Sequence, residues 1–543
     1  MKLKSRFVLS SSIGLLGAVL VCLTLATVVA AHAPDNEKAR NRAQKALRSG
    51  DFERAEQLYR DVLAKDDHDN DARLGLSHAL LKLRRLQDSF DYAARVLAIN
   101  PLSAKAHALL GSSILASGDF RLSVEEFRTA LVLDENEAMA IAGLAMVDYY
   151  ENRTGKCIAG LRRASDLDPS EPDYVFNLGQ AAARSERYKE AADAYERFLI
   201  IAPRTDAERR ARIRGLIDFL RYLGMQGSLY DLQGADRTVL DFEAPDNRPI
   251  IKVRINGSKE YLRFVLDTGS GMSVLSEDTA RKLGLKAVAR GGLARAVGGG
   301  GRFEIVYGYL NSIDMGEVRV TNIPVYIRHF FDEQTPVDGY LGIAALGRLV
   351  TTVDYGARRM TLVRQRGGEA DAAIASDRSG KPVKAEAVEV QPGINLSVRT
   401  TSSGFLSGEV FIAGINKPLN FIIDTGATVT VVSEKLAALE EAQPFIRTSR
   451  MRVFGAAGVA DDVKMALLPK ILVGSYSREK VDAAVLDLEP VNETAGFLQS
   501  GILGGNFLRF YRVVFDFYKG VVRLEPLDKQ GLSTGSPTPE GTR

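Results

Sequence analysis

The second half of the chain is written twice. An apolar run, Phe264-Val265-Leu266, leads into Asp267-Thr268-Gly269-Ser270, and Phe421-Ile422-Ile423 leads into Asp424-Thr425-Gly426-Ala427. Ile255-Asn256-Gly257 precedes the first run and Ile415-Asn416-Lys417-Pro418 the second. A glycine cluster begins 31 residues after each aspartate, at Gly298-Gly299-Gly300-Gly301 and at Gly455-Ala456-Ala457-Gly458. Gly339-Tyr340-Leu341-Gly342 and Gly501-Ile502-Leu503-Gly504 follow, each trailed 12 residues later by an aspartate, Asp354 or Asp516. Four landmarks in one order imply a duplicated domain. Short β-branched and aromatic runs broken by Gly, Asn and Pro make that domain all-β. The copies are expected at 243–365 and 388–527. A linker rich in Ala, Gly and charge, 366–387, joins them. The polar tail 528–543 is expected to be disordered.

The first half repeats with a period of 34. Small residues recur at Ala43, Ser77, Gly111, Ala145 and Gly179, and again at Ala55, Ser89, Ser123, Cys157 and Ala191. Pro101, Glu135, Pro169 and Pro203 share one register. Small side chains at two fixed places let two helices approach closely. This period and pattern resemble the tetratricopeptide repeat. Five repeats are expected over 36–205, with a capping helix over 206–226. The resemblance implies an all-α solenoid whose surface holds a protein partner. The acidic run Asp66-Asp67-His68-Asp69-Asn70-Asp71 falls at a turn between repeats. It lacks the glycine and terminal glutamate of a calcium loop, so it reads as a solvated turn. Cys157 occupies a packing position and reads as a buried structural thiol.

Lys2, Lys4 and Arg6 precede an apolar run from Phe7 to Ala31. That length spans a bilayer, and Val29-Ala30-Ala31 offers small residues for cleavage. Residues 1–33 are thus expected to be a signal peptide or a transmembrane anchor. The basic amino terminus orients the remainder outward, to the periplasmic or extracellular side, with membrane attachment through 7–31 if the segment is retained.

Composition removes several function classes. Lys+Arg 71 against Asp+Glu 68 leaves a net charge of +3, which gives no electrostatic case for nucleic acid. Two distant cysteines and five scattered histidines offer no metal-ligand spacing. No phosphate-binding glycine loop occurs. The chemistry left needs neither metal nor cofactor.

An apolar strand, Asp-Thr-Gly-Ser/Ala, a Gly-rich hairpin and an apolar-Gly motif, all present twice, resemble the retropepsin-like aspartic peptidases. The resemblance covers about half the chain. It implies two domains facing each other as a pseudo-dimer, with Asp267 and Asp424 as catalytic dyad. Amide hydrolysis without metal, Ser or Cys needs an activated water and a proton for the leaving nitrogen, and two carboxylates sharing one proton supply both. Gly269 and Gly426 would allow the tight turn, and Thr268 and Thr425 would brace the two loops. Gly298, Gly299, Gly300, Gly301, Gly455 and Gly458 would form flaps over a peptide or protein substrate. Asp354 and Asp516 match no catalytic position and read as structural. Gly271 stands where Thr428 stands in the second copy, a departure in any hydroxyl that orients the aspartate. Three readings stay open: an exported or tethered endopeptidase with an intrachain pair, a peptidase paired between chains, and a TPR scaffold with degenerate protease-like domains.

Overall fold

The structure is a computed structural model that describes residues 36–332, 334–365 and 393–527. The expected signal or anchor segment, the linker 366–387 and the tail 528–543 lie outside the described residues. Among the described residues no helix is long and apolar enough to cross a membrane.

Five helix pairs come first: α1 (36–48) with α2 (Phe52–Leu63), α3 (Asn70–Lys82) with α4 (Leu86–Ile99), α5 (Ala104–Ser117) with α6 (Phe120–Leu133), α7 (Ala138–Tyr150) with α8 (Thr154–Leu167), and α9 (Pro172–Arg184) with α10 (Tyr188–Ile201). The small positions work as the period predicts. A Cβ on Gly111 would lie 2.9 Å from the Phe127 ring, and one on Gly179 would lie 3.0 Å from the Tyr195 ring, two repeats later in the same register. Ser77, another such position, is buried and donates to the carbonyl of Ser89 at 2.8 Å. Asp69, from the acidic run, caps α3 by accepting from the Ala72 N–H at 2.9 Å. Cys157 is buried, and burial pushes its thiol up to about 12, which suits a packing role.

By contact the chain divides into two compact units. One holds α1 to α6 and the start of α7; the other holds the end of α7, α8 to α10, a final helix α11 (Ala207–Leu223) and the whole β region. Within the second unit α11 reaches the β region. A Cβ on Gly215 would collide with the Arg290 carbonyl, and Phe219 stacks on Tyr307 with centroids 4.3 Å apart.

Each β half is an eight-stranded sheet. In the first half the order runs Asp231–Gly234, Val318–Arg328, Ser273–Ser276, Gly339–Leu341, Leu262–Leu266, Ile250–Ile255, Arg302–Met315, Ala289–Arg295. The second half centres on the equivalent strands Leu419–Ile423, Gly501–Leu503 and Thr430–Ser433. In both, the strand ending at the aspartate pairs in parallel with the apolar-Gly strand, Val265 with Tyr340 and Ile422 with Ile502. A third, six-stranded sheet is shared. Strand Leu349–Asp354 pairs antiparallel with Tyr511–Asp516: Val350 faces Asp516, Thr352 faces Val514 and Asp354 faces Arg512. That register is self-complementary, so one half is related to the other by an approximate two-fold rotation. One apolar core containing Phe264, Leu266, Leu341, Phe421, Ile423 and Phe515 runs through both halves.

The sheets begin before residue 243. Asp231–Gly234 pairs with Val318–Arg328, and Arg237–Asp241 pairs with Arg359–Arg364. Both strands are short; the first has no buried residue, and the second buries Thr238 while Val239 is exposed, so neither shows the apolar alternation that marks a strand in sequence.

Candidate active site

Asp267 and Asp424 sit where their strands leave the sheet. The Asp267 N–H donates to Leu341 O at 3.0 Å, and the Asp424 N–H donates to Leu503 O at 3.1 Å. The following turn folds back on each carboxylate: Gly269 N–H donates to Asp267 Oδ1 at 3.0 Å and Gly426 N–H to Asp424 Oδ1 at 2.7 Å.

Two threonines lock the loops together. The Thr268 hydroxyl donates to Ile423 O at 2.8 Å and accepts from the Thr425 N–H at 3.0 Å. The Thr425 hydroxyl donates to Leu266 O at 2.6 Å and accepts from the Thr268 N–H at 3.2 Å. Both residues are fully buried. Four reciprocal bonds thus hold the aspartate loops in one place within a single chain.

The glycines are required by what lies opposite. A Cβ on Gly426 would lie 2.6 Å from Asp267 Oδ1, and one on Gly269 would fall inside the van der Waals shell of Asp424 Oδ2. Each carboxyl therefore rests against the other loop's glycine, and a side-chain hydrogen bond joins the two carboxyls. Dense protein surroundings raise both carboxyls above the usual range. For Asp267, the charge of Asp424 and the hydrogen bond between them add to burial, so it rises well above that range. Asp424 rises too, but its charge is supported by the N–H of Gly426, by the bond from Asp267, and by the N–H groups of Ala427 and Gly269. Two carboxyls this buried and this close disfavour double ionisation, which favours a state in which the pair shares one proton.

The glycine clusters are the tips of two hairpins, Ala289–Arg295 with Arg302–Met315 and Ile446–Gly455 with Gly458–Val473. The tips meet. Ala456 N–H donates to Val297 O at 3.2 Å, and a Cβ on Gly298 would lie 2.7 Å from Gly455 Cα. Gly298, Gly299 and Gly300 have φ of 78°, 86° and 60°, and Gly458 has 137°, a backbone region that favours glycine. A Cβ on Gly301 would strike the Ala457 carbonyl oxygen.

Gly271 has a local cause. A Cβ there would lie 2.5 Å from Ser403 O, because the turn carrying Ser403 and Gly404 packs directly against it. Among the described residues Thr428 makes no side-chain hydrogen bond to Asp424. Asp354 accepts from Arg512 Nε at 2.8 Å and from the Ala357 N–H at 2.8 Å, and Asp516 accepts from the Lys519 N–H at 3.0 Å. Both close turns in the shared sheet.

Sequence reasoning missed the groups behind the loops. Ser273 Oγ accepts from the Gly342 N–H at 3.1 Å, and Asn506 Oδ1 accepts from the Thr430 N–H at 2.8 Å, tying the apolar-Gly motif to the next strand. It also missed Arg328, at the end of a strand beneath the flaps. Single polar residues at strand ends carry no periodic signal.

Comparison with known proteins agrees with this geometry. Residues 251–345 match a family model described as aspartyl protease, and residues 410–510 match one for the gag-polyprotein aspartyl protease. The β region is a pair of retropepsin-like aspartyl protease domains. They follow tetratricopeptide repeats, matched by two repeat models over 46–113 and 142–205.

The chain is 24% identical over 123 residues to anaphase-promoting complex subunit 3 of Schizosaccharomyces pombe, 23% of this chain and 18% of that protein. Among solved structures it is similar to a thermophilic TPR protein of Thermus thermophilus, with 18% identity, TM-score 0.30, 34% of this chain and 98% of that one. It is also similar to MamA from Desulfovibrio magneticus, with 23% identity, TM-score 0.23, 31% of this chain and 94% of that one.

Proposed function

We propose that the protease domains form one intrachain aspartic endopeptidase with Asp267 and Asp424 as its dyad. The observation that carries this reading is the pair of buried threonines, each bonded to the other loop, which fixes two proton-sharing carboxyls against each other. A peptide lying extended beneath the two flap tips would present its carbonyl carbon to a water held between the carboxyls. The charged Asp424 side accepts a proton from that water as it attacks. Asp267 gives its proton to the carbonyl oxygen, and the tetrahedral diol then collapses as the leaving nitrogen is protonated. The flaps exclude bulk water, which strengthens both transfers.

The repeat array, on this reading, recruits a substrate protein or a regulator. The basic and apolar amino terminus supports export across the cytoplasmic membrane, with the segment either cleaved or kept as an anchor. A reporter fused after Arg543 is expected to be active outside the cytoplasm; activity confined to the cytoplasm reverses that assignment.

The dyad is tested by substitution. Asp267→Asn and Asp424→Asn should each abolish cleavage, and the double variant should be no worse, because the two groups act as a unit. A mixture of the two single variants should stay inactive. Half-activity in each single variant would mean separate sites formed between chains. An inactive wild type at every acidic pH would mean a scaffold.

A further inference from the structure

Arg328 is the last residue of strand Val318–Arg328 and pairs in register with Ser276. The equivalent pair in the second half is Leu486 with Ser433. The two positions are therefore related by the internal duplication, yet one is a cation and the other an alkyl side chain. Arg328 is half-buried beneath the flaps. One of its terminal nitrogens, Nη2, donates to the Ala456 carbonyl at the tip of the second flap, and its guanidinium carbon lies 4.7 Å from the ring centroid of Phe303 on the first flap. Asp267 and Tyr340 are among its electrostatic neighbours. Its Nε is buried with no hydrogen-bond partner, and no carboxylate lies within ion-pair distance of it among the described residues.

A guanidinium so placed is costly unless it is paired. Arg248 shows the usual solution in the same domain: it is buried and bonded to Asp332 at 2.8 Å. Arg328 has no such partner among the described residues and lies against both flaps. The opposite side differs throughout. Leu486 packs in an apolar cluster with Val463, Leu488, Met451, Val453 and Ile502, and Val297 of the first flap tip packs against it. Tyr340 in the first half corresponds to Ile502 in the second. The cleft therefore has a cationic end and an apolar end.

Resting on the reading of this cleft as a peptide site, we propose that Arg328 is a specificity-determining residue that takes a substrate carboxylate. An Asp or Glu side chain, or a free terminal carboxylate, would bind on the first-domain side of the scissile bond, and an apolar residue on the Leu486 side. Nη1, which makes no hydrogen bond among the described residues and is not among the buried atoms, is the donor left for that carboxylate, and a carboxylate accepting from an arginine forms a strong, charge-assisted bond.

The full chain tests this in two ways. Cleavage of a mixed peptide digest at about pH 5.5, where a glutamate is ionised, is mapped by mass spectrometry. Asp and Glu should be enriched at one position beside the cut, Arg328→Gln should erase the enrichment, and Arg328→Glu should shift it to Lys and Arg. Binding is read separately on the Asp267→Asn/Asp424→Asn chain with labelled peptide pairs that differ only as Glu against Gln, or as free acid against terminal amide. The carboxylate member should bind about tenfold tighter, and the pair that shows the gap identifies an internal side chain or a terminus as its source. Arg328→Lys, which keeps the charge and is the less disruptive change, should retain part of the gap. Equal binding within both pairs, no binding of any carboxylate peptide, or a gap untouched by Arg328→Gln in a folded variant overturns the proposal. A binding gap without any cleavage by the wild type would leave the carboxylate site standing and remove the peptidase reading.

Discussion

Thr268 and Thr425 carry the geometry on which the rest depends. Each hydroxyl donates to a buried carbonyl and accepts from a buried N–H of the other loop. Valine keeps the shape and removes both bonds, which leaves a carbonyl and an N–H buried without partners. Thr268→Val and Thr425→Val should each lower the stability of the protease region by about 1–3 kcal/mol in denaturant unfolding. The double variant should cost less than the two added together, because the network is shared. Serine at either position should recover most of the loss. A valine variant with unchanged stability and activity would show that the loops are held by something else.

The flap hairpins are defined by their contact with each other. Gly299 has φ of 86°, and a Cβ there would run into Gly458 of the other tip. Gly300 has φ of 60° and nothing within reach of a Cβ. Gly299→Ala should therefore lower kcat/KM about tenfold, since it adds strain and parts the tips, at a cost of about 1–2 kcal/mol. Gly300→Asn, which tolerates that backbone and meets no neighbour, should leave kcat/KM within about twofold of wild type. Equal effects at the two sites would mean that the tips do not need to meet. The first hairpin is also backed by α11, where Arg212 Nη1 donates to Leu293 O at 3.0 Å. The final helix of the array thus bears directly on a flap.

The shared six-stranded sheet and the threonine lock force two like carboxyls together, and the whole protein's stability responds to pH as a result. Both have folded-state pKa values raised by burial, and Asp267 also by the charge of Asp424. The native state therefore holds a proton that the unfolded chain has released by neutral pH. The stability contributed by the pair is full below the unfolded carboxylate range and is lost as pH rises through the native values. Asp267→Asn mimics the protonated partner without that loss. It should be more stable than wild type at pH 7 by about 1–2 kcal/mol and equal to it near pH 4, while its activity is gone. Wild-type cleavage should peak in the acidic range, fall as the shared proton leaves, and persist in chelator. A variant no more stable than wild type at pH 7 would mean that the carboxyls do not burden each other.

The duplicated order of Asp-Thr-Gly, glycine cluster and apolar-Gly motif was enough to mark both domains and to nominate Asp267 and Asp424, because a local turn and a strand pattern are encoded in adjacent residues. The 34-residue period likewise marked the helix pairs, since small residues at fixed places let paired helices pack closely, as Gly111 does against Phe127 and Gly179 against Tyr195. Three features were not legible. The strands Asp231–Gly234 and Arg237–Asp241 gain their identity only from partners some 90 and 120 residues away. Gly271 is explained by Ser403, a neighbour present only once the halves pack. Arg328 is an ordinary arginine in sequence and becomes an unpaired cation beneath the flaps only when the β-strands bring Ala456, Phe303 and Asp267 around it. Local sequence encodes turns, periods and repeats; burial and charge at a given position depend on which distant segment ends up opposite, and that is set by the packing of the two halves.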